Sequence, residues 1–439
     1  MTAMFRSLGV FNYRVWFIGA LFSNIGTWMQ RTAQDWIVLT ELTDHDAAAV
    51  GITMALQMGP QLFLMPLSGL IADRVNVRRM LMVTQAAMGA LAVGLGLIVV
   101  LGVAELWHVY LFALGLGITG AIDAPIRQTF VAELVSKQYL TNAVSLNSVS
   151  FHTARMIGPA IAGVLTVVVG AGWVFLLNAI TFAATLIALL IIRVSELGEQ
   201  PRASRAKGQI LAGFRYVRGR PSIVVILIMV SLIGTFGFNF SIYISTMATV
   251  EFHKGAGEFG VLTSVMAIGS VTGALLSARR ERPRMRIIFS SALLFGFSAL
   301  VAALMPTFET FAAALILIGV TSLSFMTTAN AAIQTTVKPA MRGRVMALYL
   351  AIFVGGTPLG APLAGWVVNV MGPRWGLGLA VAAGFLAAGV CLFWMVRYQN
   401  LRVHYSTTAR RIRVSYGVDE SRELATREIA IIEAEAQKG

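Results

Sequence analysis

Charge is scarce in this chain. Only 12% of its 439 residues are charged, roughly half the share of an average soluble chain, while 57% are hydrophobic. That balance excludes an ordinary soluble globular domain. Cysteine is scarcer still. Cys391 stands alone, so no intrachain disulfide forms and paired-thiol redox chemistry is excluded. The five histidines (His45, His108, His152, His253, His404) are scattered without metal-ligand spacing, and no His-Glu-x-x-His occurs. No Gly-x-x-x-x-Gly-Lys-[Ser/Thr] loop is present, and no polar stretch is long enough to fold around ATP, which disfavours a primary pump. No cleavable signal peptide is expected, because the first apolar run is long enough to stay as an anchor and lacks an Ala-x-Ala site.

Long apolar runs are what the chain has. Gly89 to Ala104 (GALAVGLGLIVVLGVA) carries no polar side chain. With its flank back to Arg79 it covers the ~30 Å of a bilayer core at ~1.5 Å per residue. A β-barrel would instead show short alternating segments. Hydropathy and turn signals predict an all-α membrane protein with spans near 14–39, 49–72, 79–102, 107–130, 142–168, 173–194, 222–248, 259–279, 287–305, 309–335, 345–370 and 375–397.

The formal net charge of +14 raises the question of nucleic acid, and its distribution answers it. Of the 34 Lys and Arg, all but four fall in the loops and termini of one side of this topology or at the span ends that border them. Lys254 and Arg374 fall on the other side, and Arg31 and Arg155 fall within spans. By the positive-inside rule both termini are cytoplasmic, and the basic surplus is a topology signal that needs no nucleic-acid partner.

The polar stretch SELGEQPRASRAKGQILAGFRYVRGRP divides the spans six and six. Three weak matches then recur in order. Ile25-Gly-Thr-Trp28 meets Ile233-Gly-Thr-Phe236, 208 residues on. Gly69-Leu-Ile-Ala meets Gly273-Ala-Leu-Leu, 204 on. Gly158-Pro159-Ala-Ile-Ala-Gly163 meets Gly360-Ala-Pro362-Leu-Ala-Gly365, 202 on. A near-constant offset predicts a duplication: residues 1–194 as one six-helix bundle, 195–220 as a cytoplasmic linker, 221–397 as a second bundle, and 398–439 as a cytoplasmic tail. The end of that tail, 421–437, is expected to be a short surface helix or disordered.

Charged and polar side chains inside the spans are costly and normally face a cavity or a partner. Asn24, Thr27, Arg31 and Asp35 step by three and four along span one and share a face. Ser148, His152 and Arg155 do so on span five. Adding the repeat offset to each charged position lands on an uncharged residue, so the scaffold repeats and the charges do not. Two readings of Arg31–Asp35 stay open, an i,i+4 ion pair or a site of proton coupling and substrate contact. Asp123 with Arg127 is read either as a cytoplasmic latch with the Asp73 loop or as a coupling carboxylate. His152 is a structural imidazole or a proton carrier. In the second half Phe236, Phe238, Asn239, Tyr243, Phe325, Met326, Asn330 and Gln334 are candidates for a soft substrate surface or for plain packing.

GLIADRVNVRRML, Gly69 to Leu81, resembles the signature loop of the major facilitator superfamily, Gly-x-x-x-Asp-Arg-x-Gly-Arg-Arg. By that resemblance Gly69 is expected to permit close helix approach, Asp73 to face the N-terminus of another helix, and Arg74, Arg78 and Arg79 to anchor the loop at the cytoplasmic face. Asn76 stands where the family has glycine and is expected to take the same left-handed turn; Val77 replaces a usual arginine. Arg155-Met-Ile-Gly158-Pro159-Ala-Ile-Ala162-Gly163 is similar to the family's antiporter motif, with Ala162 in place of one glycine. The stretches from Ala124 (APIRQTFVAELVSKQYLTNAVSLNSV) and Arg342 (RGRVMALY) resemble the branch that holds siderophore exporters and related drug efflux proteins. The resemblance implies a secondary transporter of the cell (inner) membrane, energised by a proton gradient and without a cofactor. It would be a monomer that exports a small amphipathic molecule. Import, lipid flipping and a membrane-embedded enzyme remain as alternatives at this point.

Overall fold

The computed structural model describes residues 3–74, 76–198, 209–278, 285–398, 402–406 and 411–415; the side chains at 3–4, 65–74, 137, 209–213, 278, 339–340 and 398 and in the last two segments lie outside the description. Within it the chain is almost wholly helical. The long helices are α1 (Phe11–Thr40), α2 (Ala47–Arg74), α3 (Val77–Val100), α4 (Leu106–Leu134), α5 (Lys137–Val169) and α6 (Ala171–Ile191). After a short helix α7 (Gln209–Arg218) come α8 (Pro221–Leu232), α9 (Phe240–Thr246), α10 (Ala256–Ala278), α11 (Met285–Leu304), α12 (Phe308–Thr336), α13 (Pro339–Met371) and α14 (Pro373–Tyr398). Among the described residues, 11 helical segments are long and apolar enough to cross a membrane, with Pro221–Glu251 counting as one. The 30-residue α1 is long enough as well. Its Asn24, Gln30, Arg31, Gln34 and Asp35 lower its mean hydropathy.

The predicted seventh span is not one regular helix. Two π-helical turns, Ile233–Gly237 and Met247–Glu251, flank α9. The break between them opens at Phe238 and Asn239, and the Asn239 amide donates to the Thr235 carbonyl at 2.8 Å. That bond satisfies a backbone acceptor freed by the break.

Helix ends are punctuated identically at the 202-residue offset. Glu105 and His108 form a capping box at the start of α4, and Thr307 and Thr310 form one at the start of α12. Gly170 ends α5 at φ 89° and Gly372 ends α13 at φ 98°, a backbone region costly for any residue with a Cβ. The short turns α5–α6 and α13–α14 therefore depend on glycine at matched places.

Helices α1–α6 pack chiefly among themselves, as do α8–α14; the broad contacts between the two sets are α2 with α13 and α5 with α10. Both contacts are backbone-close. A Cβ on Gly163 would stand 2.7 Å from the Ala256 carbonyl oxygen, and one on Gly365 would meet the backbone of Ala47 and Ala48. Gly163 and Gly365 are the repeat-related glycines of the sequence analysis. Small residues allow such approach where lipid offers no hydrophobic drive for association. Beside the second contact the Asn369 side chain donates to Asp46 at 2.5 Å and accepts from the Ala47 backbone at 2.8 Å.

The stretch 195–220, expected as a linker, contains α7, which is docked rather than free. The Tyr216 hydroxyl accepts from the Lys338 backbone at 3.2 Å, and Val217 is buried. In the tail two antiparallel strands pair Arg402–Ser406 with Arg411–Ser415, in register Arg402 to Ser415. No strand was expected there. The predicted 421–437 segment lies outside the described residues.

Candidate functional site

The polar stripe on α1 meets different neighbours at each step. The Asn24 amide donates to the Ser150 hydroxyl on α5 at 3.3 Å, and Thr27 bonds back to the Ser23 carbonyl at 2.8 Å within its own helix. Asp35, 8% exposed, accepts a hydrogen bond from the Ser241 hydroxyl of α9. Among the described residues Arg31 and Asp35 make no ion-pair contact within 4.0 Å, although the two charges attract one another, and the hydrogen bond to the carboxylate comes from the second set of helices. The π turns on either side of α9 account for this. They set α9 apart as a short helix that packs against α1, with Ser241 at that contact.

Arg31 and Arg155 meet at an aromatic ring. Their guanidinium carbons lie 5.3 and 5.4 Å from the Trp28 ring centroid, within cation–π range. Phe151 packs edge-on to the same indole at 5.8 Å. Gly158 of the span-five motif seats the ring: a Cβ there would lie 2.7 Å from the Trp28 Cβ and 3.1 Å from the Ile25 carbonyl. The repeat-related Gly360 touches the backbone of Thr235 in the matching Ile233-Gly-Thr-Phe236 stretch. One packing contact is thus built twice, and only the first copy carries arginines. His152 lies one turn before Arg155 and is exposed.

Asp123 is a different kind of carboxylate. One oxygen accepts from Thr84 at 2.6 Å and Gln85 at 2.9 Å on α3, and the other pairs with Arg127 at 3.0 Å. The Arg127 guanidinium also lies 5.6 Å from the Trp16 ring. With both oxygens engaged and 4% exposure, Asp123 ties α3, α4 and α1 together.

The second-half candidates separate. Asn239 and Tyr243 are fully buried, and the Tyr243 hydroxyl donates to the Phe236 carbonyl at 2.6 Å, so both serve the broken helix rather than an open surface. Phe325 is likewise core. Asn330 and Gln334 bond one another at 2.5 Å on α12, with Gln334 exposed. Phe236, Phe238 and Met326 are half-buried.

In the signature loop, α2 runs through Gly69, Asp73 and Arg74, whose side chains lie outside the described residues. Asn76 is not left-handed. At φ −68° it is the N-cap of α3, and its side chain accepts from the Arg79 backbone at 3.0 Å. The Arg78 side chain donates to the Leu189 carbonyl near the end of α6 at 2.7 Å. Pro159 and Pro362 lie inside α5 and α13.

Sequence reasoning missed several partners. Ser241 gave no signal, because its role depends on the broken helix. Gln30 and Gln34, both buried, stand four apart beside the α1 stripe, and that spacing was a usable signal. Gln30 accepts from Asn178 of α6 at 2.5 Å.

A family model described as transmembrane secretion effector matches residues 3–422. The chain belongs to the major facilitator superfamily, in its transmembrane secretion effector family. This major facilitator is 28% identical over 354 residues to the staphyloferrin A transporter of Staphylococcus aureus, covering 79% of this chain and 87% of the relative. It is 27% identical over 384 residues to the enterobactin exporter of Escherichia coli (strain K12), covering 86% and 90%. Among solved structures, a bacterial homologue of the iron transporter ferroportin in an inward-facing state aligns at TM-score 0.69 and 14% identity, over 88% of this chain and 99% of that one. A D-xylose–proton symporter aligns at TM-score 0.68 and 13% identity, over 89% and 98%. At that identity the structures show a shared fold. The chain is a multi-pass membrane transporter, and its curated relatives are transporters, not enzymes. In this transporter the charges of α1 and α5 and the Asp123–Arg127 pair of α4 stand inside an otherwise apolar first set of helices.

Proposed function

We propose that this facilitator is a proton-coupled exporter of small amphipathic molecules of the siderophore or drug class, working by alternating access. In this reading its twelve spans form two parallel six-helix halves, 1–194 and 221–397, joined by the 195–220 linker, with both termini and the 398–439 tail cytoplasmic. It acts as a monomer in the inner membrane and draws on the proton gradient without a cofactor. The siderophore class follows from the names of its staphyloferrin A and enterobactin relatives.

The observation that carries the reading is Asp35. It is a buried carboxylate hydrogen-bonded by a hydroxyl of the opposite helix set, with Arg31 near it but beyond ion-pair contact. A carboxylate at a contact that must break during alternation changes its desolvation cost when protonated, so a proton biases one state over the other. Asp123, saturated by Thr84, Gln85 and Arg127, lacks that freedom.

The test is accumulation of a siderophore and several amphipathic dyes in energised inside-out vesicles. Accumulation that collapses with a protonophore and is lost in Asp35→Asn supports coupled export. Accumulation undiminished in Asp35→Asn removes Asp35 from coupling, and absence of gradient-driven movement overturns the exporter reading.

A further inference from the structure

The Arg31–Trp28–Arg155 cluster brings two guanidinium groups together with one nearby carboxylate, Asp35, which acts on Arg31 from beyond ion-pair distance. Both guanidinium groups lie within about 5.4 Å of one indole, so they stand within roughly 11 Å of each other. Among the described residues neither has a carboxylate within 4.0 Å. The Arg31 Nε is buried without a hydrogen-bond partner. Asp35, the nearest acidic residue along α1, takes its hydrogen bond from Ser241. His152, one turn from Arg155 on α5, is neutral or adds positive charge. Cation–π contact supplies part of what water would. It leaves the guanidinium N–H donors in the ring plane unused, and those donors are built for oxyanions. The second half shows that the cost is not structural. Gly360 packs on Ile233-Gly-Thr-Phe236 in the same way, with no arginine on that surface.

We propose that Arg31 and Arg155 form an anion subsite that holds a carboxylate of the transported molecule beside Trp28. The inference rests on the exporter reading and narrows it to amphipathic anions. Gly158 is then a specificity element, because it sets the depth of the Trp28 ring on which both cations rest.

The experiment uses the purified full-length chain in phosphatidylcholine nanodiscs at neutral pH, with no gradient. Two probes of matched shape, 2-naphthoate and 2-naphthamide, are titrated by calorimetry into wild type, Arg155→Gln, Arg155→Lys and Arg31→Gln. The naphthoate binds at least about tenfold more tightly than the amide to wild type, the scale of one charge-assisted hydrogen bond. That preference disappears in Arg155→Gln and Arg31→Gln and is partly kept in Arg155→Lys, which shows that the folded site survives. Equal binding of the two probes to wild type, or an unchanged preference in both glutamine variants, overturns the proposal. A second set of discs containing phosphatidylglycerol separates the possible sources of the anion. Unchanged naphthoate binding there supports a substrate subsite, whereas loss of binding assigns the arginines to lipid headgroups and overturns it. Because binding is read without a gradient, export of neutral dyes by Arg155→Gln in vesicles would leave the exporter reading standing when the anion subsite falls.

Discussion

Ser241 donates a hydrogen bond to Asp35 across a sequence distance of 206 residues. The donor stands on the seven-residue helix α9, isolated between two π turns, and the acceptor stands near the end of the 30-residue α1. A single hydroxyl thereby links the two helix sets at a buried carboxylate. In the proposed alternating-access cycle the link is released in any state that separates α1 from α9.

Ser241→Ala is therefore expected to shift the conformational balance without abolishing coupling. Removing a hydrogen bond to a charged group is worth about 1.5–3 kcal/mol, enough to change a two-state ratio by tenfold or more. Double electron–electron resonance between labels on α1 and α9 should show a broadened or displaced distance. An unchanged distribution would mean the bond does not hold the state.

Asp123 is expected to behave as a stability residue. Asp123→Leu strands the Arg127 guanidinium, 15% exposed, beside Thr84 and Gln85. Breaking a buried pair in this way costs about 3–5 kcal/mol. The thermal midpoint in detergent should fall, and Asp123→Leu combined with Arg127→Met should recover part of the loss. Additive losses would argue that the pair is not coupled.

Gly158→Val is expected to disturb the arginine cluster from a distance. The added Cβ meets the Trp28 Cβ at 2.7 Å and the Met29 backbone nitrogen at 3.3 Å, so α1 must shift. Overpacking of this kind costs about 1–3 kcal/mol. Trp28 emission, read against a Trp28→Phe background, should change in Gly158→Val and not in Gly120→Ala, where nothing lies within 4 Å.

Asp46→Ala should loosen the α2–α13 contact. It removes the acceptor for Asn369 and the N-terminal cap on Ala48 and Ala49, held at 2.8 and 3.2 Å. Loss of a cap alone costs about 1 kcal/mol. A cysteine placed at Ala361 should then react faster with maleimide than in the parent. The background is clean, because Cys391, the single native cysteine, is fully buried and should stay unlabelled.

The sequence by itself determined the helical segments, because a bilayer core demands about 20 apolar residues and a helix that satisfies its own backbone. The caps at Glu105 and Thr307 and the turn glycines Gly170 and Gly372, which recur at one offset and were not singled out from the sequence, are also local chemistry. The sequence exposed Arg31, Asp35, Asp123 and Arg155 because charge in an apolar run has few excuses. What these charges touch was decided by tertiary structure alone. Arg31 and Asp35 have the spacing of an ion pair, yet Asp35 bonds Ser241 and Arg31 shares Trp28 with Arg155. Asn76 has the chemistry of a left-handed turn and is used as an N-cap. Helical periodicity states which side chains share a face, and it is silent on the helix across from that face. The partner there is fixed by glycine-mediated approach between distant segments and by a helix that breaks at Phe238 and Asn239.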